Sequence, residues 1–308
     1  MKLLLLGANG QLGQTFLTEG GLARRGDLIA ATRTGELNAP GRGVVGNLED
    51  LTALASLLDA ERPDIVVNAA AYTAVDKAES DEGTASRVNG EALGVIGRWA
   101  ASHGALVIHF STDYVFPGTA TAPYAPTAAT GPQGAYGRSK LAGEEALRAS
   151  GARHMIFRTA WVYSAVGNNF LRTMLRLGAD RDELRVVADQ RGTPTTTRLI
   201  VAGTLAAIDR YVSSGGNDPG LLGTFHLTAS GETTWHGFAE AIFAEAVASG
   251  VLARAPNVQP IATAEFPTPA RRPAYSVLDN ASFAATFGHP LADWRVGLQE
   301  VVGELATS

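Results

Sequence analysis

Cysteine is missing from the 308-residue chain. That excludes disulfides, thiolate catalysis and Cys-based metal centres, while leaving the redox compartment open. Long apolar runs are missing as well, and no stretch approaches the ~20 residues that a membrane helix needs. The opening run Lys2-Leu3-Leu4-Leu5-Leu6 passes at once into a Gly-rich turn, where a secretory leader would need a longer apolar region and a small-residue cleavage site. Excess positive charge is also lacking. The formal net charge is -5, which argues against a general nucleic-acid-binding surface. What remains is 45% hydrophobic and 18% charged, the balance of a globular chain, with length enough for one large domain or two lobes. Repeats and low-complexity segments are absent, and the six histidines show no metal-ligand spacing. The expectation is a soluble, cytoplasmic protein that engages neither membrane nor nucleic acid.

The first half alternates strands and helices, which implies a parallel, doubly wound sheet with right-handed crossovers. Lys2 to Leu6 reads as a buried strand, Gly7-Ala8-Asn9-Gly10-Gln11-Leu12-Gly13 as a turn, and Gln11 to Glu19 as a helix. This is the context a dinucleotide fingerprint needs. Gly7 permits the tight turn, Gly10 lets the backbone approach a pyrophosphate, and Gly13 lets helix and strand pack closely. The second strand, Asp27 to Thr32, ends at Arg33 where NAD-specific folds carry an acid. An arginine there suits a 2′-phosphate and hence NADP(H), while nearby Glu36 leaves NADH open. A helix from Leu51 to Ala60, a strand from Asp64 to Asn68, one long helix from Asp81 to His103 and a strand from Ala105 to Phe110 complete the pattern.

The last of these strands runs into Ser111-Thr112-Asp113-Tyr114, at the carboxyl edge where open α/β sheets bind ligands. After a loop rich in Pro, Thr and Gly (residues 117–133), a helix begins at Ala135-Tyr136-Gly137-Arg138-Ser139-Lys140. Helical residues four apart share a face, so the phenol of Tyr136 and the ammonium of Lys140 point the same way. A neighbouring cation lowers a phenol's pKa, and a phenol so tuned can protonate a carbonyl oxygen. Thr112 supplies a hydroxyl to the same place. Asp113 reads as a turn or capping residue rather than a base.

With Gly loop, Ser111-Thr112-Asp113 and Tyr136…Lys140 in this order, the chain resembles the extended short-chain dehydrogenase/reductase superfamily. Within it the chain resembles the dTDP-4-dehydrorhamnose reductase family. The strings that carry this likeness are residues 68–79, 109–116, 136–144, 157–163, 167–170 and 266–273, spread over essentially the full length. The resemblance implies NAD(P)H-dependent reduction of the 4-keto group of dTDP-4-dehydro-L-rhamnose, a step in nucleotide-sugar supply for lipopolysaccharide. Tyr136 would donate the proton, Lys140 would lower its pKa and hold the nicotinamide ribose, and Thr112 would orient the sugar. Gly10, Gln11 and Leu12 would contact the pyrophosphate, Asn47 and Leu48 the adenine end, and Ala71, Tyr72, Thr73 and Phe110 the rest of the cofactor. Asn47 stands where the family has an aspartate. The substrate-facing set comprises Thr112, Asp113, Trp161, Asn169, Arg271 and Arg272. Some family members bind magnesium through glutamates at a dimer contact. The corresponding residues here are Thr15, Arg198 and Arg295, none of them a carboxylate. No metal is therefore expected, and the chain is expected to be a monomer or weak homodimer.

In the second half, a tryptophan just past the sheet's edge, Trp161, can stack on a sugar face. Arg271 and Arg272, in a Pro-stiffened loop, can fork onto a diphosphate. Trp235 and His236 read as packing residues at the start of a helix, Thr234 to Ser249. Further helices are read over Asn169–Leu177, Arg198–Tyr211 and Leu291–Leu305, with strands over Leu184–Val187 and Thr224–Thr228. The expected architecture is α/β: a Rossmann-type NAD(P)-binding domain over 1–160, and a smaller, mainly C-terminal substrate-binding lobe over 161–308. Whether segments near 195–230 return to the sheet stays open. Two other readings stay open as well. One is a nucleotide-sugar epimerase or dehydratase of the same superfamily, though Asp113-Tyr114 does not supply a dehydratase's usual acidic pair. The other is a non-catalytic NADP-binding subunit like the regulatory subunit of methionine adenosyltransferase. Intact Thr112, Tyr136 and Lys140 favour catalysis over it.

Overall fold

The computed structural model describes residues 1–39 and 41–307. Seven strands form its central sheet: β1 Lys2–Leu6, β2 Asp27–Thr32, β3 Gly43–Val45, β4 Ile65–Asn68, β5 Leu106–Thr112, β6 Arg153–Thr159 and β7 Gly223–His226. Their spatial order is β7-β6-β5-β4-β1-β2-β3, and every neighbouring pair is parallel. The sequence direction of the sheet reverses between β1 and β4, which opens a crevice at the carboxyl ends of both strands.

Period-two alternation explains why the sheet is covered on both faces. Leu3 and Leu5 of β1 join a cluster with Phe16, Ile108, Phe157, Ile200 and Ile208. Leu4 and Leu6 point the other way, to Leu54, Leu58, Leu93, Ile96 and Leu147. All four leucines are fully buried, each worth about 1.5–3 kcal/mol. The first cluster is roofed by the helices Gln11–Thr18, Thr197–Ser213 and Ala281–Phe287, the second by Leu51–Glu61, Ala92–His103 and Ala135–Ala149.

The helix read as continuous from Asp81 to His103 is interrupted. Glu82–Ser86 and Ala92–His103 are α-helical, but Arg87–Glu91 between them forms a π turn. The extra residue in that turn swings Asn89 inward. Its side chain accepts from the Tyr72 backbone N–H at 2.9 Å and donates to the Tyr72 carbonyl at 3.1 Å and to Ser139 Oγ at 2.9 Å.

After Ala160 the chain builds a second layer. A parallel pair, Glu183–Val187 with Asn257–Ile261, packs with the helices Phe170–Asp180, Trp235–Ala248 and Trp294–Ala306 around Tyr163, Leu171, Phe238, Phe243 and Trp294. Not everything after residue 160 stays there. Thr197–Ser213, Gly223–His226 and Ala281–Phe287 all return to the sheet. The loop at 117–133 is tied down: Tyr124 stacks on Phe116, and its backbone N–H donates to Val277 at 2.9 Å. Among the described residues no helix is long and apolar enough to cross a membrane.

Candidate active site

A cleft of about 830 Å³ opens at the carboxyl ends of β1, β4, β5 and β6. At one end lies the β1 turn. Gly7 has φ +80°, and a Cβ there would stand 2.6 Å from the Ala70 backbone nitrogen. A Cβ on Gly13 would stand 2.2 Å from the Gly7 carbonyl oxygen, so this glycine lets the helix sit against the turn. Gly10 occupies the N-cap with no side chain between backbone and cleft. The first N–H groups of the helix, with the positive end of its dipole, are thereby offered to an anion. Arg33, Thr34, Asn47, Leu48 and Glu49 line the same end, and the residue directly after β2 is Arg33 rather than an acid. A glycine cradle at a helix start with an arginine beside it fits a phosphorylated dinucleotide.

Gln11 does more than line this turn. Its Oε1 accepts from Asn169 Nδ2 at 2.8 Å and from Ser164 Oγ at 3.1 Å, and its Nε2 donates to the Asn168 carbonyl at 3.3 Å. The glycine-rich turn is thus clamped to the 164–169 loop of the second layer. Gly167, at φ +74°, makes room for it, since a Cβ there would be 2.6 Å from Gln11 Cγ.

The middle of the cleft holds Thr112, Tyr136 and Lys140. Thr112 ends β5, and Tyr136 and Lys140 lie on the first turns of Ala135–Ala149. Gly137 lets that helix close on the turn after β5; a Cβ there would be 2.3 Å from the Tyr114 carbonyl oxygen. Thr112 stands close enough to the Tyr136 phenol to ease its ionisation, and its Oγ1 donates to Asp113 Oδ1 at 2.9 Å. Burial pushes Asp113 up to about 6, against the hydrogen bonds it accepts. Its Oδ2 is buried without a hydrogen-bond partner.

One expectation about tuning is corrected. Tyr136 does not have a lowered pKa here. Burial raises the phenol well above its ordinary value, Asp113 and Tyr114 add to the rise, and only the neighbouring Thr112 opposes it. Lys140 does not offset that rise; its Nζ donates to the Phe110 carbonyl at 2.6 Å and lies 3.1 Å from His109 Nε2. Burial lowers Lys140 itself to about 7, with Glu144 pulling the other way.

The other expected residues divide. Ala71, Thr73, Phe110, Leu12 and Trp161 line the cleft. Trp161 holds φ +47° and stacks on Trp235, with ring centroids 3.5 Å apart, so the packing residue Trp235 backs the cleft-facing one. Tyr72 turns its hydroxyl to Asp81 at 3.1 Å. Asn169 caps Phe170–Asp180, accepting from the Arg172 N–H at 3.0 Å, and donates to the cleft-lining Gln11 at 2.8 Å. Arg271 and Arg272 line a neighbouring pocket with Asp189, Thr263 and Phe266. Arg272 pairs with Asp76 at 2.6 Å and touches the Tyr114 hydroxyl at 3.3 Å, which links that pocket to the cleft's lining. Thr15 bonds Thr197 at 2.8 Å, Arg198 pairs with Glu19 and Glu304, and Arg295 lies over Trp294. Among the described residues no cluster of three or more His, Asp and Glu could hold a metal.

Sequence reasoning did not single out Asn68, His109 or Asn89. Each is a buried polar residue, Asn68 at the end of β4, His109 within β5 and Asn89 in the π turn. That is itself a signal, since a buried polar group needs a partner.

A family model described as the RmlD substrate binding domain matches residues 1–307. A dTDP-4-dehydrorhamnose reductase from Burkholderia thailandensis is 44% identical over 308 residues, 99% of either chain. Among solved structures, a dTDP-4-dehydrorhamnose reductase from Clostridium acetobutylicum superposes with a TM-score of 0.87 at 36% identity, covering 99% of both chains. One from Bacillus anthracis, in complex with NADP, gives 0.84 at 31% identity over 98% of this chain and 99% of that one.

Proposed function

The chain belongs to the dTDP-4-dehydrorhamnose reductase family, and on that premise we propose that it reduces the 4-keto group of dTDP-4-dehydro-L-rhamnose to give dTDP-L-rhamnose, with NADPH as reductant. The observation that carries this reading is one cleft with a glycine cradle at one end and Thr112, Tyr136 and Lys140 in its middle. When bound, the nicotinamide supplies the hydride. Everything else falls to the chain. Gln11 and Leu12 offer backbone N–H groups to the pyrophosphate, Gly10 leaves it room while its own N–H is held by the Gly7 carbonyl at 2.9 Å, Arg33 forks onto a 2′-phosphate, and Asn47 and Leu48 border the adenine end. Tyr136 stays protonated at neutral pH because burial disfavours the phenolate. It therefore meets the sugar carbonyl as a proton donor. Thr112 orients that carbonyl and relieves the phenolate as it forms. Lys140 lies one turn away to hold the ribose and answer the new charge. Trp161 offers its face to the sugar. We assign Arg272, through its contact with Tyr114, to the diphosphate end of the substrate.

We assign residues 1–160 together with Thr197–Ser213, Gly223–His226 and Ala281–Phe287 to a cofactor half, and the remaining second-layer elements to a substrate half. Loss of NADPH absorbance on adding dTDP-4-dehydro-L-rhamnose, with an NADH arm run beside it, tests the reading. Consumption of neither cofactor, with NADPH still bound, would instead favour a binding subunit.

A further inference from the structure

Resting on the reading that the glycine turn holds the cofactor's pyrophosphate, and going beyond it, we propose that Gln11 is a positioning residue through which cofactor and sugar nucleotide strengthen each other's binding. Its backbone sits in the turn, and its side chain holds the loop 164–169, which brings Asn168 into the cleft from the second layer. Gln11 is the first residue of its helix, after an N-cap, Gly10, that has no side chain to satisfy the N–H groups following it. Those N–H groups are open to an anion. On the other side the polarity of the amide is fixed. Asn169 Oδ1 accepts from the Arg172 N–H at 3.0 Å, so Asn169 Nδ2 faces Gln11 and donates to Oε1 at 2.8 Å. An amide nitrogen cannot accept there. Gln11 must therefore present its oxygen to Asn169, which leaves Nε2 to reach the Asn168 carbonyl at 3.3 Å.

Glutamine is the side chain that meets both demands. Glutamate would set a carboxylate oxygen against the Asn168 carbonyl, asparagine is one methylene short, and methionine fills the space without either bond. Gly167 shows how closely the loop follows this side chain. It lies over the Gln11 stem at φ +74°, where a Cβ would stand 2.6 Å from Gln11 Cγ.

The loop has little else to hold it to the sheet layer. Among the described residues, 165–168 make no backbone-to-backbone hydrogen bond, and every hydrogen bond between the first half of the chain and residues 164–169 involves Gln11. The remaining ties are internal to the second layer. Asn169 Nδ2 donates to the carbonyls of Ser164 at 2.9 Å and Val166 at 3.2 Å, and Arg172 donates to the Ala165 carbonyl. An anion on the turn engages the free N–H groups and steadies the residue from which the clamp projects. A sugar nucleotide entering beside the loop then finds it already ordered, and loses less conformational freedom on binding. The effect is reciprocal, because a coupling free energy between two ligands is shared by both.

Hydrogen–deuterium exchange on the full chain, read by mass spectrometry with and without NADPH, tests this. NADPH should slow exchange at residues 7–13 and also at 164–172. Gln11→Met keeps the backbone N–H and removes the clamp, so it should retain the cofactor's protection at 7–13 and lose it at 164–172. Asn169→Ser still caps its helix but has no amide for Gln11, and should lose protection at 164–172 as well. Calorimetry reads the consequence. Saturating NADP⁺ should tighten dTDP-L-rhamnose binding about 5- to 50-fold in the parent chain, and by less than about 2-fold in either variant. A merely structural glutamine would lower the melting temperature and leave that ratio as it was. NADPH leaving 164–172 unprotected in the parent chain would overturn the proposal, as would either variant keeping that protection or the parent's coupling ratio. Should Gln11→Met fail to fold, Asn169→Ser and the parent chain decide. The exchange arm uses no sugar nucleotide, so dTDP-L-rhamnose failing to bind would sink the reductase reading and leave the clamp to be judged on exchange alone.

Discussion

Replacing Glu144 by glutamine should cost more stability than any surface ion pair in this molecule could. Glu144 is fully buried and accepts from Arg158 at two points, Nε at 2.9 Å and Nη2 at 2.7 Å. Ser111 Oγ adds a third bond at 2.6 Å and Arg148 a fourth at 3.1 Å. Arg158 is itself only 3% exposed. Burial alone would raise the Glu144 carboxyl, but the hydrogen bonds and charges of Arg158, Ser111 and Arg148 outweigh it and hold the group below its ordinary value. Glutamine keeps the shape and removes the charge, stranding a buried guanidinium, which costs about 3–5 kcal/mol. That is a large part of the ~5–15 kcal/mol by which a typical fold is stable. By contrast Arg148→Met, at a half-exposed site, should cost at most about 1 kcal/mol. Because the folded carboxyl is lowered, its stabilisation is complete above the usual carboxylate range and is lost as pH falls through the folded value. Urea titrations of Glu144→Gln, Arg158→Met and the double variant Glu144→Leu/Arg158→Met should show the double variant losing less than the sum of two singles, because it leaves no charge behind. A Glu144→Gln loss under about 1 kcal/mol, or simple additivity, would refute the reasoning.

Tyr136→Phe removes the proton donor and should lower kcat about 10²- to 10⁴-fold, while NADPH affinity measured by fluorescence stays within a few-fold. Unchanged turnover would remove Tyr136 from the mechanism. Arg33→Ser should weaken NADPH binding about 10- to 100-fold, the worth of a charged hydrogen bond, and leave NADH binding nearly unchanged; equal losses for both cofactors would contradict the 2′-phosphate assignment. Lys140→Met should be more stable than the parent chain near neutral pH. A buried amine whose folded value is about 7 against ~10.4 unfolded costs the fold increasingly as pH drops from ~10 toward 7. Thermal melts of the two proteins should therefore diverge over that window and run parallel below it.

Much of the sheet could be read from the sequence because its central strands are buried on both faces and so appear as short apolar runs ended by glycine or polar turns. β1 and β2 have the bounds expected of them, Lys2–Leu6 and Asp27–Thr32. β3 escaped notice because Gly43–Val45 is three residues long at an edge, where no side needs a continuous apolar pattern. The π turn at Arg87–Glu91 escaped because apolar periodicity barely registers one inserted residue, and what demands it is remote: Asn89 must reach Tyr72 and Ser139. For the site, spacing alone put Tyr136 and Lys140 on one helix face. It could not show which way the Lys140 amine turns, since His109 and the Phe110 carbonyl reach it from another strand. The return of Ala281–Phe287 to the sheet was equally hidden. No helix is read over these residues, and the place of Phe283 and Phe287 is set by packing on Phe157 and Phe225.

The Gln11 clamp bears on how such a molecule can be rebuilt. The amide that begins the first helix also fastens a loop more than 150 residues downstream, and the polypeptide weaves between the two layers several times before it ends. Sugar preference in this scaffold is consequently not a detachable cassette. Grafting the upper layer onto a foreign nucleotide platform would require several simultaneous splices and a matching glutamine beneath. Altering selectivity by exchanging individual side chains in place asks far less of the scaffold.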